Sequence, residues 1–311
     1  MRRLVFLTVL SAFACGDDGD TDTLSADAAL PDAALPDGGA SDAGEREDDA
    51  SIADAFVPMD AVVDGGSRLG AAAWIRMHFA DAPTLDGTFT SRTRVETPAL
   101  VDGADACCAK YAFDAIEAEA PELPEIGFVD VAIHDLESTD AFGGGIQVDR
   151  APGATLYLAE VTIDPGWPEW VSYATTNYDG MVLDGAAAIY AEELTIRDWN
   201  ADGAIDNKAQ VSQFVGLTIE GRGHRGIRYW RSGPHYLVDS TLENTGGLGE
   251  GSILWFRDCD TVELRVWNTT FDGSPTVSPD AISCDEGSDP TIVILDADPR
   301  TTGELHEMFT Y

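Results

Sequence analysis

Side chains able to carry acid–base chemistry recur at a near-constant spacing in the second half of the chain. Asp179, Asp202 and His224 each lie in a short glycine-containing stretch, "NYDG", "ADG" and "GHRG" respectively. Carboxylates and imidazoles are common proton carriers in catalytic sites. Asp-Gly is equally ordinary turn chemistry at a recurring corner, so this pattern leaves a structural explanation open.

A second set of charges lies close by, in "DGAIDNKA" and "GRGHRGIRYWRSGPHY". The first stretch holds Asp206 and Lys208. The second holds an arginine at every third position: Arg222, Arg225, Arg228 and Arg231. Spacing by three is that of a helix face. Three glycines interrupt this run, and each costs about 1 kcal/mol inside a helix, so the elements around these residues must decide their arrangement.

Those elements form a repeat. The 23-residue stretches that begin at Asp179, Asp202 and Arg225 align without gaps. The alignment puts glycines in one column and branched apolar residues in another: Gly180, Gly203, Gly226, Ile196, Ile219 and Leu242. Each unit contains period-two strands separated by Gly, Asp and Asn, and no convincing helix follows a strand. A coil that returns to the same column after each unit supplies the crossover that parallel strands need.

This pattern resembles the right-handed parallel β-helix of the pectate-lyase-like superfamily, over about residues 127–295. The resemblance implies an all-β, single-stranded coil of about five to seven rungs that occupies 127–311. Residues 67–126 are expected to form an N-terminal cap and the first rungs, with helical spacing in "DACCAKYAFDAIEAEAPEL". The final "TTGELHEMFTY" is expected to close the other end.

The resemblance also implies candidate reactions on the outer strand face. Compared with polygalacturonases, Asp179 and Asp202 match two water-activating carboxylates, and His224 matches the supporting histidine. Ala201, however, stands where that family has its general acid, and the family's Arg-x-Lys pair is missing. Loss of the acid removes the group that protonates the leaving oxygen, which weighs against hydrolysis.

In the lyase relatives, Lys or Arg acts as the base of a β-elimination, and a carboxylate-bound Ca²⁺ neutralises the uronate. The resemblance therefore implies Lys208 or Arg228 as base and Asp206 as a Ca²⁺ ligand, and it favours lyase over hydrolase activity. The structural alternative is an Asp206–Arg228 salt bridge. Two registers stay open: Asp206 points outward if Ile205 and Asn207 face inward, whereas strict column matching turns it inward.

Aromatic residues are the third signal. Trp230 and Arg231 follow Arg228, and together with Asp179 they are candidate substrate-binding residues, because aromatic faces stack on sugars and cations. Other candidate sugar platforms are Trp199, Trp255, Trp267, Trp167, Trp170, Tyr173 and Tyr178. Tryptophan and tyrosine also fill β-helix cores, so about half of these are expected to be buried.

The N-terminus predicts export. Arg2 and Arg3 precede an apolar run, and small residues precede Cys15, which is typical of a secretory signal. Residues 1–15 resemble a bacterial lipoprotein signal, which implies a lipid anchor on Cys15, with plain secretion as the alternative. Residues 16–66, rich in Asp, Ala, Pro and Gly, predict a disordered acidic tether.

Charge and cysteines limit the function classes. The formal net charge of −38 excludes nucleic acid, whose binding depends on neutralising phosphates. Outside the cell disulfides can form, but the pairing of Cys107, Cys108, Cys259 and Cys284 stays open. We expect a monomeric lipoprotein at the Gram-negative outer membrane or cell surface, or a secreted protein, that binds or cleaves a polysaccharide. The alternative is a non-catalytic adhesion or structural lipoprotein.

Overall fold

The computed structural model describes residues 69–116, 125–139, 141–149, 153–244 and 251–311. The predicted signal with Cys15 and the predicted tether 16–66 lie outside these residues. The described part contains one eight-residue helix, α1 (Ala71–His78), a short helix α2 (Pro299–Thr302), and 3₁₀ turns at Pro279–Ala281 and Glu307–Phe309. No helix within it is long and apolar enough to cross a membrane.

Most of the remaining chain is β-strand, divided between two sheets. Sheet A contains β1 (Thr84–Phe89), β3 (Ala99–Cys107), β5 (Glu125–His134), β7 (Thr155–Asp164), β9 (Ala188–Arg197), β11 (Val211–Val215), β12 (Thr218–Gly221), β14 (His235–Val238), β15 (Thr241–Asn244), β17 (Glu263–Trp267), β18 (Thr270–Phe271) and β20 (Thr291–Ile294). Sheet B contains β2 (Thr93–Val95), β4 (Tyr111–Ile116), β6 (Phe142–Asp149), β8 (Asn177–Leu183), β10 (Gly203–Asn207), β13 (Arg225–Tyr229), β16 (Ser252–Asp258) and β19 (Ile282–Glu286).

The chain alternates between the two sheets, and each strand pairs in parallel with the strand one circuit earlier in the same sheet. The all-β class is confirmed, and this architecture is consistent with a parallel β-helix. Alternation of side chains sends every second residue between the sheets. Ile205, Ile227 and Leu254 therefore align in neighbouring strands of sheet B and are fully buried.

The predicted stacking of Ile196, Ile219 and Leu242 is confirmed by the register of β9, β12 and β15. The period varies, however. Leu217 contacts Ser240 after 23 residues, whereas Ser240 contacts Thr269 after 29. Additional residues are absorbed in the turns, where chain length is least restricted.

The predicted glycine column is wrong by one residue. Gly203 aligns with Asp179 and Arg225, so Gly180 and Gly226 instead flank Ala204. The turn before β10 is one residue longer than gap-free alignment allows. Asp179 and Gly180 both lie within strand β8, whereas Asp202 precedes β10 and Gly203 begins it, so the two Asp-Gly pairs do not occupy equivalent positions in the ladder.

The two glycines on either side of Arg222 have a packing role. A Cβ atom at Gly223 would lie 2.1 Å from the buried ring of Trp199, and one at Gly221 would lie 2.4 Å from it. The arginines do not line a helix face, since Arg225 and Arg228 lie on strand β13. Residues at these two positions must be glycine because the indole ring of Trp199 lies against the backbone.

Sheet A bends along a column of residues with left-handed backbone conformation. Its members occupy equivalent positions in successive circuits: Gly103, Asp130, Glu160, Glu193, Gly216, Asp239 and Asn268. The flanking pairs Glu192–Val215 and Thr195–Thr218 show this alignment. Gly, Asn and Asp tolerate this region of backbone space best, so their recurrence here sets the corner of the coil.

The helix α1 and the C-terminal segment cover the outer face of sheet A. Trp74 of α1 packs on Tyr157 of β7, and His306 stacks on Tyr190 of β9 at 4.2 Å. The N–H of Gly70 donates to the carbonyl of Tyr311 at 3.2 Å, so the two segments meet. The prediction that "TTGELHEMFTY" closes an end of the coil is wrong, because Phe309 and Met308 belong to this lateral cluster.

Two further expectations are settled by the structure. The predicted helix in "DACCAKYAFDAIEAEAPEL" is wrong for residues 105–116, which form the end of β3 and all of β4. The part of that stretch from 117 to 124 lies outside the described residues. Cys259 and Cys284 form a disulfide, whereas Cys107 has a free thiol.

Candidate functional site

The candidate site lies on the outer face of sheet B, where α1 and the C-terminal segment do not reach. Strand β10 places Ile205 and Asn207 in the interior, so Asp206 and Lys208 point outward. The first of the two registers is therefore correct. Asp206 aligns with Arg228 of β13, and the predicted Asp206–Arg228 salt bridge is present, with 3.2 Å between Oδ1 and Nε.

Arg228 is the centre of a buried ionic network. Its Nη2 donates to Asp179 at 2.8 Å, and its Nη1 donates to Asp202 at 2.6 Å. With Asp206, three carboxylates thus surround one guanidinium, and each of these four side chains is at most 7% exposed. A planar guanidinium suits this geometry because its donors are fixed in direction.

Burial and neighbouring charges act in opposite directions on the pKa values of this network. Burial lowers the pKa of Arg228, but the attraction of Asp179, Asp206 and Asp202 outweighs it, so that the pKa is raised overall. Burial raises the pKa of Asp179 well above its usual range, against the attraction of Arg228, and the charges of Asp202 and Asp206 raise it further. Arg228 is thus a fixed cation, and Asp179 holds a proton more readily than an ordinary carboxyl.

This result bears on the base predicted for a β-elimination. A base must be able to lose its proton, and the paired, buried Arg228 cannot do so at neutral pH. Lys208 is more accessible, and its Nζ lies 3.4 Å from Asp206 and 3.9 Å from Asp184. Of the two predicted bases, only Lys208 fits that role.

His224 lies behind the network. Its Nδ1 is 3.2 Å from Asp202 Oδ1, and its ring stacks on Trp170 at 4.5 Å with an angle of 2° between the planes. Asp202 itself has no exposed surface. Neither residue lines the cleft. The catalytic roles that the resemblance to polygalacturonases implies for Asp202 and His224 stay predictions. His224 contacts Asp202, and Asp202 accepts a hydrogen bond from Arg228, so the pair helps to orient the guanidinium.

A cleft of about 280 Å³ opens above Arg228. Its aromatic lining residues are Tyr111, Phe142, Tyr173 and Trp230, and its polar lining residues are Gln147, Asn177, Asp179, Asp206, Lys208 and Arg228. Tyr173 and Phe142 are 46% and 48% exposed. The cleft therefore combines exposed rings with a floor of immobilised charges.

The predicted substrate-binding residues separate into two groups. Asp179 and Trp230 line the cleft, whereas the exposed Arg231 does not. Trp230 is also less open than predicted: its Nε1 donates to Asp206 at 2.5 Å, and the charged groups of Lys208 and Arg257 lie 5.2 and 5.8 Å from its ring. Its faces are thus occupied by the protein's own cations.

The other predicted platforms divide as expected between core and surface. Trp167, Tyr178, Trp199 and Trp255 are buried, and Trp170, Tyr173 and Trp267 retain exposed surface. Sequence reasoning missed Tyr111, Phe142, Gln147 and Asn177. These residues come from three different circuits, and only the strand register brings them together.

No group of three or more His, Cys, Asp or Glu side chains in the described ranges is arranged to hold a metal ion. Asp206, the predicted Ca²⁺ ligand, faces Arg228, Trp230 and Lys208. A calcium ion there would have to compete with these donors, and its binding stays a prediction.

Comparison of the chain with protein-family models, with curated proteins and with solved structures finds no match. The functional argument therefore rests on the cleft, because a fold by itself hosts many activities.

Proposed function

We propose that this protein binds a glycan chain on the outer face of sheet B, with one sugar unit in the cleft above Asp179, Asp206 and Arg228. The observation that carries the proposal is the cleft itself, in which Tyr173 and Phe142 expose their rings beside a rigid polar floor. Sugars present apolar faces that stack on such rings and hydroxyls that need fixed polar partners.

The finer assignments belong to the same proposal. We infer a right-handed β-helix of the pectate-lyase-like type, supported by the repeated return of the chain to the same two parallel sheets. The sequence also supports a lipid anchor at Cys15 and a location outside the cytoplasm, and both remain part of the proposal. We further propose that the protein binds the glycan as a monomer. A disulfide between Cys259 and Cys284 fits an oxidising compartment.

The test is a glycan-binding screen with the wild-type protein and two variants of one loop. Tyr173→Ala removes an exposed ring from the cleft, and Val171→Ala removes an apolar side chain of the same loop that is 72% exposed and does not line the cleft. We expect Tyr173→Ala to weaken binding by up to about tenfold, the loss that corresponds to about 1.4 kcal/mol of stacking, and Val171→Ala to bind like the wild type.

Two results would count against the proposal. Equal binding by Tyr173→Ala would place the glycan elsewhere on the molecule. Failure of the wild-type protein to bind any glycan in the screen would favour the alternative, a non-catalytic adhesion or structural lipoprotein.

One observation favours a second function, glycoside hydrolysis. Asp179 lines the cleft and has a raised pKa, as a general acid requires, and Asp206 lines the same cleft as a second carboxylate. We expect new reducing ends to form from a bound oligosaccharide, and Asp179→Asn to abolish them while binding persists. The lyase reaction is tested in the same samples by the absorbance of unsaturated products, measured with and without Ca²⁺. If Lys208 is the base, Lys208→Met should lose this absorbance. Absence of both products would leave binding as the function.

A further inference from the structure

The ionic network beneath and beside the cleft contains more carboxylates than cations. The carboxylates of Asp179, Asp202 and Asp206 share Arg228, and Lys208 lies between Asp206 and Asp184. Four carboxylates are thus in contact with two cations. The further charged or titratable neighbours are His224 beside Asp202, Arg225, whose charge also acts on Asp202, and Arg257 over the ring of Trp230. Because most of these groups are buried, solvent screens the imbalance poorly.

The structure shows one response to this imbalance in Asp179, whose raised pKa makes it take up a proton. Protonation reduces the surplus negative charge. A cationic group of a ligand beside Asp179 would have the same effect, and it would restore the carboxylate form of that side chain.

Two side-chain acceptors in the residues that line the cleft have no hydrogen-bond donor. The amide oxygens of Gln147 and Asn177 are buried and accept no hydrogen bond from any residue that the structure describes. Buried acceptors without partners are costly. An ammonium group is a pure donor with three N–H bonds, so it matches both the charge and the hydrogen-bonding needs of this surface.

The rings around the cleft already attract cations from the protein itself. The charged groups of Arg92 and Lys110 lie 5.2 and 5.5 Å from the centre of Tyr111, and the ammonium of Lys208 lies 5.2 Å from that of Trp230. Such distances are those of cation–π contacts. Lys208, held between Trp230 and Asp206, is thus an internal example of how this surface binds an ammonium group.

The charge of the whole molecule acts in the same direction. Residues 1–68 hold 15 acidic residues against four arginines, so residues 69–311 carry a formal net charge of −27. A field of this sign concentrates cationic ligands and repels uronates or sulfated sugars.

We propose that the cleft selects a sugar with a free ammonium group, that is, a de-N-acetylated amino sugar, over its N-acetylated and carboxylated counterparts. The proposal rests on the proposed glycan-binding function. In this proposal the sugar ring lies against Tyr173 and Asn177, and the ammonium group lies against Asp179 and Asp206.

The experiment compares three probes of equal length by calorimetry at slightly acidic pH: a glucosamine oligomer, an N-acetylglucosamine oligomer and a galacturonate oligomer. We expect the glucosamine oligomer to bind at least about tenfold more tightly than the N-acetylated one, as charge-assisted contacts allow. We expect this preference to shrink in high salt.

Two matched variants locate the effect. Asp179→Asn keeps an acceptor for Arg228 but removes the charge, and it should weaken binding of the glucosamine oligomer more than that of the N-acetylated oligomer, so that the ratio of the two affinities falls to about one. The control, Asp102→Asn, removes a carboxylate paired with Arg76 at 2.8 Å on sheet A and should leave the preference unchanged. If Asp179→Asn does not fold, competition on the wild-type protein by monomeric glucosamine and N-acetylglucosamine decides the question.

The outcomes separate the two proposals. Equal or tighter binding of the N-acetylated or galacturonate oligomer would overturn the ammonium preference and leave glycan binding intact. A preference retained in Asp179→Asn, or one insensitive to salt, would also overturn it. Failure of every oligomer and of the wider glycan screen would remove both.

Discussion

The two sheets present similar inner faces to the core but differ in what meets their outer faces. On sheet A, Trp74 of α1 and Phe309 of the C-terminal segment pack with Tyr157 of the sheet in one apolar cluster. On sheet B, the outer face carries Arg228 with three carboxylates beneath an open cleft. The outer face of sheet A is covered by α1 and the C-terminal segment and therefore contributes to stability. The outer face of sheet B stays accessible to a ligand.

The difference extends to the ion pairs on each face. Arg265 on sheet A contacts Glu263 at 2.6 Å and Glu304 at 2.8 Å, but its side chain is 32% exposed. Arg228 on sheet B has a similar number of partners and is almost completely buried. Pairs at the surface contribute little to stability, whereas loss of one partner from a buried cluster leaves uncompensated charge.

The largest expected effect comes from Arg228. Arg228→Met should lower the free energy of unfolding by about 3–5 kcal/mol, because three carboxylates would lose their common cation. Arg265→Met is the matched change on sheet A and should cost at most about 1 kcal/mol. Chemical denaturation of both variants measures the contrast, and equal losses would show that the two faces do not differ in this respect.

The second prediction concerns the aromatic residues. Trp74→Ala should lower the free energy of unfolding by about 3 kcal/mol, because it leaves a cavity between α1 and sheet A. Tyr173→Ala on the open face should lower it by less than about 1 kcal/mol, since the ring is already half in solvent. A large loss of stability in Tyr173→Ala would mean that the cleft wall is part of the packed structure.

The third prediction concerns the interior between the two sheets. Asn207 donates to Ser212, whose hydroxyl lies 2.8 Å from Nδ1 of His235, and burial lowers the pKa of His235 to about 4. An unfolded chain has an imidazole pKa of about 6.5. Between these values the unfolded state binds the proton and the folded state does not, so stability should fall as pH falls from about 6.5 to 4.

The maximum size of this effect is about 3 kcal/mol. It is measured as the difference in the free energy of unfolding between the wild type and His235→Gln across that pH range. His134 provides the opposite case: its pKa is raised by Asp135 and Asp105, so its small stabilisation is present at low pH and lost as pH rises. Equal pH dependence in the wild type and His235→Gln would contradict the assignment.

Much of the fold followed from short-range patterns. Alternation of apolar side chains gave the column of Ile196, Ile219 and Leu242, and it also placed Asp206 on the outer face once Ile205 was assigned to the core. These features depend only on strand periodicity and a constant offset between circuits, which a single sequence contains.

The features that were not predictable depend on turn lengths and on segments far apart in the sequence. A one-residue difference between turns displaced Gly203 from Gly180 and Gly226. Tyr111 was assigned to a helix because its alanine-rich surroundings have helical spacing, and the ladder with β6 overrides that preference. The cleft combines strands β4 to β13, so its shape required the register of every circuit between them.

The contact between Gly70 and Tyr311 has a practical consequence. Because the two ends of the described fold lie side by side on sheet A, a short peptide could join them, and new termini could be opened at the exposed turn around Gly273. Such a circular permutant, or a protein immobilised on a sensor through Tyr311, would keep sheet B directed away from the attachment point.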